Sequence, residues 1–284
     1  MLEPARSVTT TAPPSPIRYT IGSVINDEEQ YAAMLASFQA HGFGPEDCEF
    51  LYADNSVSNQ LCCYRGLNRI LEDARGDYIV LCHQDVRLVD DGRKDLERCL
   101  AELEAFDSRW AVAGNAGGVS LGKFAIRISD PHGLNARIGP FPARIASLDE
   151  NFIVLKRQAR LSFSSDLDGF HFYGTDICIM ADVHGYTSYV IDFHLKHLGK
   201  GVINETFHAC RRNLIKKYAH AFRPRWIQTT CARVYLSGAT FGHEVEGLWS
   251  LIKVKAPQKI SKPVGKIAEA FAQSKKSTPR GRIP

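Results

Sequence analysis

The 284-residue sequence predicts an α/β fold in which a mostly parallel sheet has helices on both faces. Three apolar stretches each precede a segment with helical spacing of apolar residues, and a fourth apolar stretch follows the third helical segment. The third stretch, DYIVLC (77–82), is apolar on both faces, which is typical of a strand inside a sheet covered on both sides. In such sheets ligands bind beyond the carboxyl ends of the strands.

Three strand and helix pairs and a fourth strand occupy the first half of the chain. Apolar residues recur at helical spacing, as Met34 and Phe38 do, and Gly42 and Gly76 follow the first two helical segments. In order, the predicted elements are strand IRYTIGSVIN (17–26) and a helix over about 31–38, strand EFLYAD (49–54) and a helix over 61–74, strand DYIVLC and a helix over 90–106, and strand RWAVAG (109–114).

The second half is less regular. It predicts a strand in ASLDENFIVLKR (146–157), a short helix over 175–182, a strand in TSYVIDFHL (187–195) and a helix over about 205–221. Two interpretations fit GNAGG (114–118): close approach of the backbone to a ligand, or a plain turn.

One domain with two tails is the expected organisation. Residues 1–16 are rich in Thr and Pro, which predicts a flexible arm. Residues 17–250 are predicted to form the domain, and residues 251–284 are predicted to form a basic, disordered tail. From residue 255 onward there are eight Lys or Arg and one Glu, a net +7 that leaves −3 for the rest of the chain. Such a tail is typical of a solvated chain end, and contact with anionic lipid is the alternative. No basic, aromatic-interleaved stripe indicates a nucleic-acid partner.

The cysteines and the hydropathy predict a cytoplasmic protein. Eight cysteines are scattered without a Cys-x-x-Cys pair, which favours buried thiols in a reducing compartment. The N-terminal residues lack the apolar core of a signal peptide, and no apolar run reaches the length of a membrane span.

His83 and Asp85 directly follow the third strand and, two positions apart, face the same space. Their side chains suit a divalent cation, with Mn²⁺ accepting imidazole more readily than Mg²⁺. The alternative is structural: His83 hydrogen-bonds a loop and Asp85 caps the next helix. His194 and His197 lack the flanking residues of a zinc site.

Asp176 is placed at the start of a predicted helix, after a loop rich in glycine and aromatic residues. Two roles explain an acid at this position. Asp176 either caps the helix or acts as a general base that accepts the proton of a substrate hydroxyl. Neither a Gly-x-Ser-x-Gly elbow nor a phosphate-binding Gly-Lys-Ser/Thr loop is present in the sequence.

In order along the chain, these stretches resemble the family 2 glycosyltransferases with the GT-A fold, in the branch with HQD in place of the Asp-x-Asp motif. The resemblance extends over about residues 17–201. It is carried by SVIND (23–27), YADNSVSN (52–59), the Asn68, Ala74 and Gly76 spacing before DYIVL, HQDV (83–86), DENFIVLKR (149–157) and FHFYGTDICIMADVHGY (170–186).

The resemblance implies metal-assisted, inverting transfer of a sugar from a nucleotide-diphosphate sugar to an acceptor hydroxyl, in glycan or polysaccharide synthesis. Residues 17–120 would bind the donor and 121–250 the acceptor, which is a glycan, a lipid-linked molecule or a protein. The implied site residues are Ser23, Asn26, Asp54, Asn68, His83 and Gln84 for the nucleotide sugar, Asp85 and His194 for Mn²⁺ or Mg²⁺, and Asp176 as the base.

Two departures from the family pattern leave other functions open: His83 replaces the first acid of Asp-x-Asp, and Thr175 replaces the acid that often precedes the base. The alternatives are a non-catalytic GT-A protein that binds a nucleotide or glycan, and a sugar-nucleotide pyrophosphorylase, whose Gly-rich, Arg-containing loop is missing here. RRNLIKKYAHAFRPRW (211–226) either packs on the domain or lies on a membrane surface, which would place the protein at the inner face of the membrane.

Overall fold

A computed structural model describes residues 16–238 of the chain. The chain divides into two compact units, 1–216 and 217–284, each of which is described by itself. Nearly all of the predicted N-terminal arm and the whole predicted tail lie outside the described residues, as does the end of the predicted 17–250 domain.

The first unit alternates strands and helices in its first half, as predicted, and is richer in strands in its second half. In chain order its elements are β1 (Tyr19–Ile25), α1 (Glu28–Ala40), β2 (Cys48–Asp54), α2 (Cys63–Asp73), β3 (Tyr78–Cys82), β4 (Val86–Arg87), α3 (Arg93–Phe106), β5 (Trp110–Gly114), β6 (Ala116–Ser120), β7 (Lys123–Asp130), β8 (Gly133–Ile138), β9 (Ala143–Arg144), β10 (Ser147–Leu148), β11 (Phe152–Lys156), α4 (Tyr173–Val183), β12 (Thr187–Val190), β13 (Leu195–His197) and the beginning of α5 (Glu205–Ala221).

The main sheet has seven strands in the order β2-β1-β3-β11-β5-β12-β9. Strands β2, β1 and β3 are parallel, with Ile21 opposite Val80, and β12 is parallel to β5. Strand β11 lies antiparallel between β3 and β5. The predicted fold class, a mostly parallel α/β sheet, is confirmed.

Helices cover both faces of this sheet because side chains alternate along each strand. Tyr19 and Ile21 belong to the core formed with α1 and α3. On the opposite face, Gly22 lets α2 approach β1: a Cβ added there would lie 2.5 Å from Cγ2 of Ile70. Helix α4 contacts β5, β10 and β12.

A second sheet, in the order β10-β6-β7-β13-β4 with β8 paired to β7, forms where the sequence predicted loops or single strands. GNAGG forms the end of β5 and the start of β6, so the interpretation as a plain turn was wrong. Close approach of the Ser147 backbone explains Gly117, where an added Cβ would lie 2.5 Å from the carbonyl oxygen of Ser147. The approach of GNAGG to a ligand stays a prediction. The predicted strands 146–157 and 187–195 each break in two and serve both sheets.

The second unit contains, in its described part, the end of α5 and a hairpin of β14 (Arg225–Gln228) and β15 (Arg233–Leu236). Across residues 16–238, none of the helices combines the length and apolar character that crossing a membrane requires.

Candidate active site

The turn between β3 and β4 carries His83, Gln84 and Asp85 at the carboxyl end of the main sheet. Its backbone is fixed on both sides, because the His83 N–H donates to Asn151 O (3.0 Å) and the Leu198 N–H donates to Asp85 O (3.1 Å). Strand β13 runs antiparallel to β4, with His197 opposite Val86. This pairing brings His197 to the side of Asp85.

His83, Asp85 and His197 form a cluster with three possible ligand atoms within 4.8 Å of one another. Nε2 of His197 lies 3.3 Å from Oδ1 of Asp85 and 3.3 Å from Nδ1 of His83. Nδ1 of His83 lies 3.9 Å from the same Asp85 oxygen. Two imidazole nitrogens and one carboxylate oxygen are a donor set that suits Mn²⁺ or Zn²⁺ better than Mg²⁺, which prefers oxygen.

Tyr173, at the start of α4, orients the His83 ring. Its hydroxyl donates to Glu150 O (3.2 Å) and lies 2.6 Å from Nε2 of His83. This contact engages Nε2 of His83 and leaves Nδ1 facing the cluster. Such outer partners are typical of histidines that ligate metals.

Gly199 keeps the other side of the cluster open. A Cβ at this position would lie 2.8 Å from Oδ2 of Asp85 and 3.1 Å from Nε2 of His197. Any side chain here would occupy the space in front of the Asp85 carboxylate.

The charges of the cluster are interdependent. Burial lowers the pKa of His83, and the neighbouring His197 lowers it further. Burial also acts to lower the pKa of His197, but the hydrogen bond and charge of Asp85 outweigh it and raise that pKa. Burial acts to raise the pKa of Asp85, and the hydrogen bond and charge of His197 outweigh it. Asp85 is therefore ionised at neutral pH and His83 offers a neutral imidazole.

A cleft of about 550 Å³ opens beside the cluster, and we call it the Gln84 cleft. Gln84 closes one side of it by pairing with Asn26, whose backbone N–H donates to Oε1 of Gln84 (2.9 Å). Its side-chain amide donates in turn to the Asn26 side chain. The lining includes Val24, Asn26, Asn55, His83, Gln84, Asp85 and Phe170.

Of the residues predicted to bind a nucleotide sugar, Asn26, His83 and Gln84 line this cleft. Asp54 is exposed at the end of β2, where its carboxylate accepts from the Ser56 N–H (2.7 Å), and hydrogen bonds from Ser56 lower its pKa.

Ser23 and Asn68 have structural partners instead. The Ser23 hydroxyl is buried and donates to Cys82 O (2.8 Å), which ties β1 to β3. The Asn68 amide donates to Phe163 O (2.9 Å) and accepts from the Phe163 N–H (2.8 Å), so it attaches α2 to the segment before α4.

His194, the predicted partner of Asp85, lies apart from the cluster. It is buried, with Nε2 2.9 Å from the Ser129 hydroxyl and Nδ1 3.2 Å from Asp90. The histidine that reaches Asp85 is His197. His194 precedes β13, whereas His197 lies within β13 opposite Val86, in its pairing with β4.

Asp176 is in the first turn of α4, as predicted, but it is fully buried. Its carboxylate accepts from the Ser164 N–H (2.8 Å) and the Ser164 hydroxyl (2.7 Å). Its role as a base stays a prediction, and in this conformation it fixes the loop before α4.

Two acids that the sequence prediction missed lie between β10 and β11. Asp149 is exposed and its charge acts on both His83 and His197. Burial, and then the charge of Asp149, raise the pKa of Glu150 to about 8. The sequence signal for these two acids was DEN (149–151) inside an otherwise apolar predicted strand. Charged residues are rarely buried in a strand, so their presence indicated that the strand is interrupted at this point.

The structure thus defines an α/β protein with a His-Asp-His cluster beside a cleft at the carboxyl end of its sheet. The chain is 37% identical over 233 residues to "ATP synthase subunits region ORF 6" of Fuscovulum blasticum, which covers 80% of this chain and 94% of that protein. The chain belongs to the family of that protein. The name of the relative describes a gene region and gives no activity. No protein-family model matches the chain.

Two solved structures are similar to it at low identity. One is the mannosyltransferase PcManGT from Pyrobaculum calidifontis in complex with GDP-Man and Mn²⁺, at 13% identity and a TM-score of 0.49, covering 76% of this chain and 68% of that one. The other is S. aureus TarS 1–349 in complex with UDP-GlcNAc, at 12% identity and a TM-score of 0.47, covering 72% of this chain and 67% of that one.

Proposed function

We propose that this protein is a glycosyltransferase that takes a sugar from a nucleotide-diphosphate sugar. The observation that carries the proposal is the position of the His83, Asp85 and His197 cluster, at the carboxyl end of β3 and on the edge of the Gln84 cleft. A sheet of this kind binds ligands at that edge. The GT-A resemblance of HQDV and the surrounding stretches agrees with this position.

The donor is proposed to lie in the Gln84 cleft with its diphosphate toward the cluster. Asn26 is an exposed amide at the rim that can hydrogen-bond a base or ribose, and the exposed Asp54 can accept from ribose hydroxyls. Gln84 holds the rim in place through its paired hydrogen bonds with Asn26.

His83, Asp85 and His197 would hold a divalent cation, and their donor set suits Mn²⁺ or Zn²⁺ better than Mg²⁺. When bound, such a cation neutralises charge that develops on the departing diphosphate. Tyr173 holds the ring of His83 through Nε2, and Gly199 leaves space in front of Asp85. These residues hold the site in one geometry before the substrates arrive, which lowers the cost of positioning them.

The reaction is proposed to be a single inverting displacement. A hydroxyl oxygen of the acceptor bonds to the anomeric carbon from the face opposite the diphosphate, and its proton passes to a general base, the role predicted for Asp176. The bond from that carbon to the diphosphate oxygen breaks, and the nucleoside diphosphate leaves with the electron pair.

The cellular setting is proposed to be glycan or polysaccharide synthesis in the cytoplasm, at the inner face of the membrane. Helix α5 combines basic residues with the exposed apolar residue Ile215. This combination is typical of a helix that lies on a membrane surface. The acceptor classes that fit this setting are a glycan, a lipid-linked molecule or a protein.

Incubation with a panel of nucleotide sugars and Mn²⁺ tests the proposal against its two rivals. Release of nucleoside diphosphate, by transfer or slow hydrolysis, supports the glycosyltransferase. Exchange that requires pyrophosphate supports a pyrophosphorylase, and binding without turnover supports a non-catalytic binding protein.

A further inference from the structure

Asn151, directly before β11, is buried although its side chain is polar. The residue is 1% exposed, and among the described residues its side-chain oxygen, Oδ1, has no hydrogen-bond partner. Buried polar atoms in folded proteins nearly always have a partner, because leaving one without costs stability. This oxygen therefore indicates a bound ion or water beside it.

Asp149 fixes the orientation of the Asn151 amide. The side-chain nitrogen of Asn151, Nδ2, donates to Oδ1 of Asp149, and the backbone N–H of Asn151 donates to the same oxygen (3.0 Å). An ionised carboxylate accepts hydrogen bonds and donates none. The atom that faces Asp149 is therefore the nitrogen, and the atom without a partner is the oxygen.

Asn151 lies opposite His83 at the end of the main sheet. Strands β11 and β3 pair with Phe152 opposite Cys82, and the His83 N–H extends this pairing by donating to Asn151 O (3.0 Å). Opposite residues of an antiparallel pair project from the same face of the sheet. Phe152 and Cys82 belong to the core formed with α1 and α3. The next pair, Asn151 and His83, therefore projects from the other face, where Tyr173 of α4 meets the His83 ring.

An amide oxygen at this position complements the donor set of the cluster. His83, Asp85 and His197 offer two imidazole nitrogens and one carboxylate oxygen. The charge of Asp149 acts to raise the pKa of both histidines, which agrees with a position of the Asn151 amide close to them. Carbonyl oxygen is a ligand that suits Mn²⁺, which binds about six ligands in octahedral geometry.

We propose that Oδ1 of Asn151 is a fourth protein ligand of the divalent cation, an inference that rests on the proposed function and its cation site. His83 and Asp85 bind the cation from the turn after β3, His197 binds it from β13, and Asn151 binds it from the start of β11. Asp149 is then an outer partner that holds the amide in place. This set leaves about two positions of an octahedral cation for oxygen atoms of the donor diphosphate.

Pulsed electron paramagnetic resonance of bound Mn²⁺ tests this inference without a turnover assay. The full chain is produced with asparagine that carries ¹³C at its side-chain carbonyl. We expect wild type to show the ¹³C coupling of a directly bound amide, and Asn151→Leu to lose it. Calorimetry should show that Asn151→Leu binds Mn²⁺ about tenfold more weakly than wild type, as is typical when a group that supports a metal site is removed.

Asn151→Asp keeps an oxygen at the same position. It should lose the ¹³C coupling of asparagine but bind Mn²⁺ more tightly than Asn151→Leu does. Asn115→Leu is the matched control, because Asn115 is also buried with an Oδ1 that has no partner among the described residues, while its Nδ2 donates to Arg127 O (3.3 Å) in β7. This variant should keep the coupling and the Mn²⁺ affinity of wild type.

Two results would overturn the inference and leave the proposed cation site standing. One is a wild-type Mn²⁺ spectrum without ¹³C coupling, which does not depend on the folding of any variant. The other is equal Mn²⁺ affinity in Asn151→Leu and Asn115→Leu. Failure of the proposed function is a different result: wild type would bind no Mn²⁺, which would overturn the cation site and this inference with it.

Discussion

His197 places Nε2 3.3 Å from the carboxylate of Asp85, although the two residues lie on strands that are far apart in the sequence. The contact exists because β13 pairs with β4, so the second sheet supplies a histidine to a turn that extends from the first. The proposed cation site is thus assembled from both sheets, and the Gln84 cleft adjoins it.

The first prediction distinguishes the role of His197, on β13, from that of His194, which precedes β13. His197→Ala removes a proposed ligand and should abolish the increase in melting temperature that Mn²⁺ gives wild type. His194→Ala breaks a buried contact with Ser129 and should lower the free energy of unfolding by about 1–3 kcal/mol while keeping the Mn²⁺ response. Thermal unfolding with and without Mn²⁺ measures both. The reverse pattern would return the ligand role to His194.

The second prediction concerns the space in front of Asp85. Gly199→Ala places a methyl group 2.8 Å from Oδ2 of Asp85, and because that carboxylate is the end of a side chain it should rotate away. We expect weaker Mn²⁺ binding, measured by calorimetry, with a melting temperature near that of wild type. Gly118→Ala is the control, since its added methyl group meets nothing within 4 Å. Equal Mn²⁺ affinity in both variants would contradict the proposed position of the cation.

The third prediction concerns Asp176. Asp176→Asn leaves a Ser164 donor facing an amide, so we expect the free energy of unfolding to fall by about 1–3 kcal/mol. If Asp176 is the general base, turnover per folded molecule should be lost while donor binding persists. Turnover near that of wild type would contradict that role.

The fourth prediction is a pH dependence of stability at Asp107, the residue that follows α3. Its carboxylate accepts from the hydroxyls of Thr187 (2.7 Å) and Tyr189 (2.8 Å), and these hydrogen bonds hold its pKa below the ordinary value. Because the folded pKa is the lower one, the stabilisation is complete above the unfolded pKa and is lost as pH falls toward the folded pKa.

Asp107→Asn should therefore lower the free energy of unfolding by about 1 kcal/mol at neutral pH and flatten its decline in acid. Urea unfolding at a series of pH values measures both effects. An unchanged acid decline in the variant would show that other carboxyl groups account for it.

The main sheet could be predicted from the sequence because its strands are buried and apolar and its helices carry periodic apolar stripes. Val80 and Leu81, in the middle of DYIVLC, are buried, and Met34 and Phe38 fill one helix face. The second sheet could not be predicted in this way. Its strands are short, glycine-rich or half-exposed, as β6 and β8 are, so neither an apolar run nor a regular alternation marks them.

The candidate site, like the fold, could be predicted only in part. His83 and Asp85 follow a buried strand, which indicated their position. The choice of His197 over His194 depends on the register of the three-residue strand β13 against β4, which is a long-range contact. The partners of Asp176 and Asn68 lie in the segment before α4, whose course has no local sequence signal.

Release of nucleoside diphosphate from a panel of nucleotide sugars, with and without Mn²⁺, tests the central claim most directly when wild type is compared with Asp85→Asn. The substitution keeps the size of the side chain and removes the charge that a cation requires, so the fold should persist. We expect wild type to release nucleoside diphosphate from at least one nucleotide sugar in a Mn²⁺-dependent way, and Asp85→Asn to lose this release. Equal release by both proteins, or none by wild type with any donor, would contradict the claim.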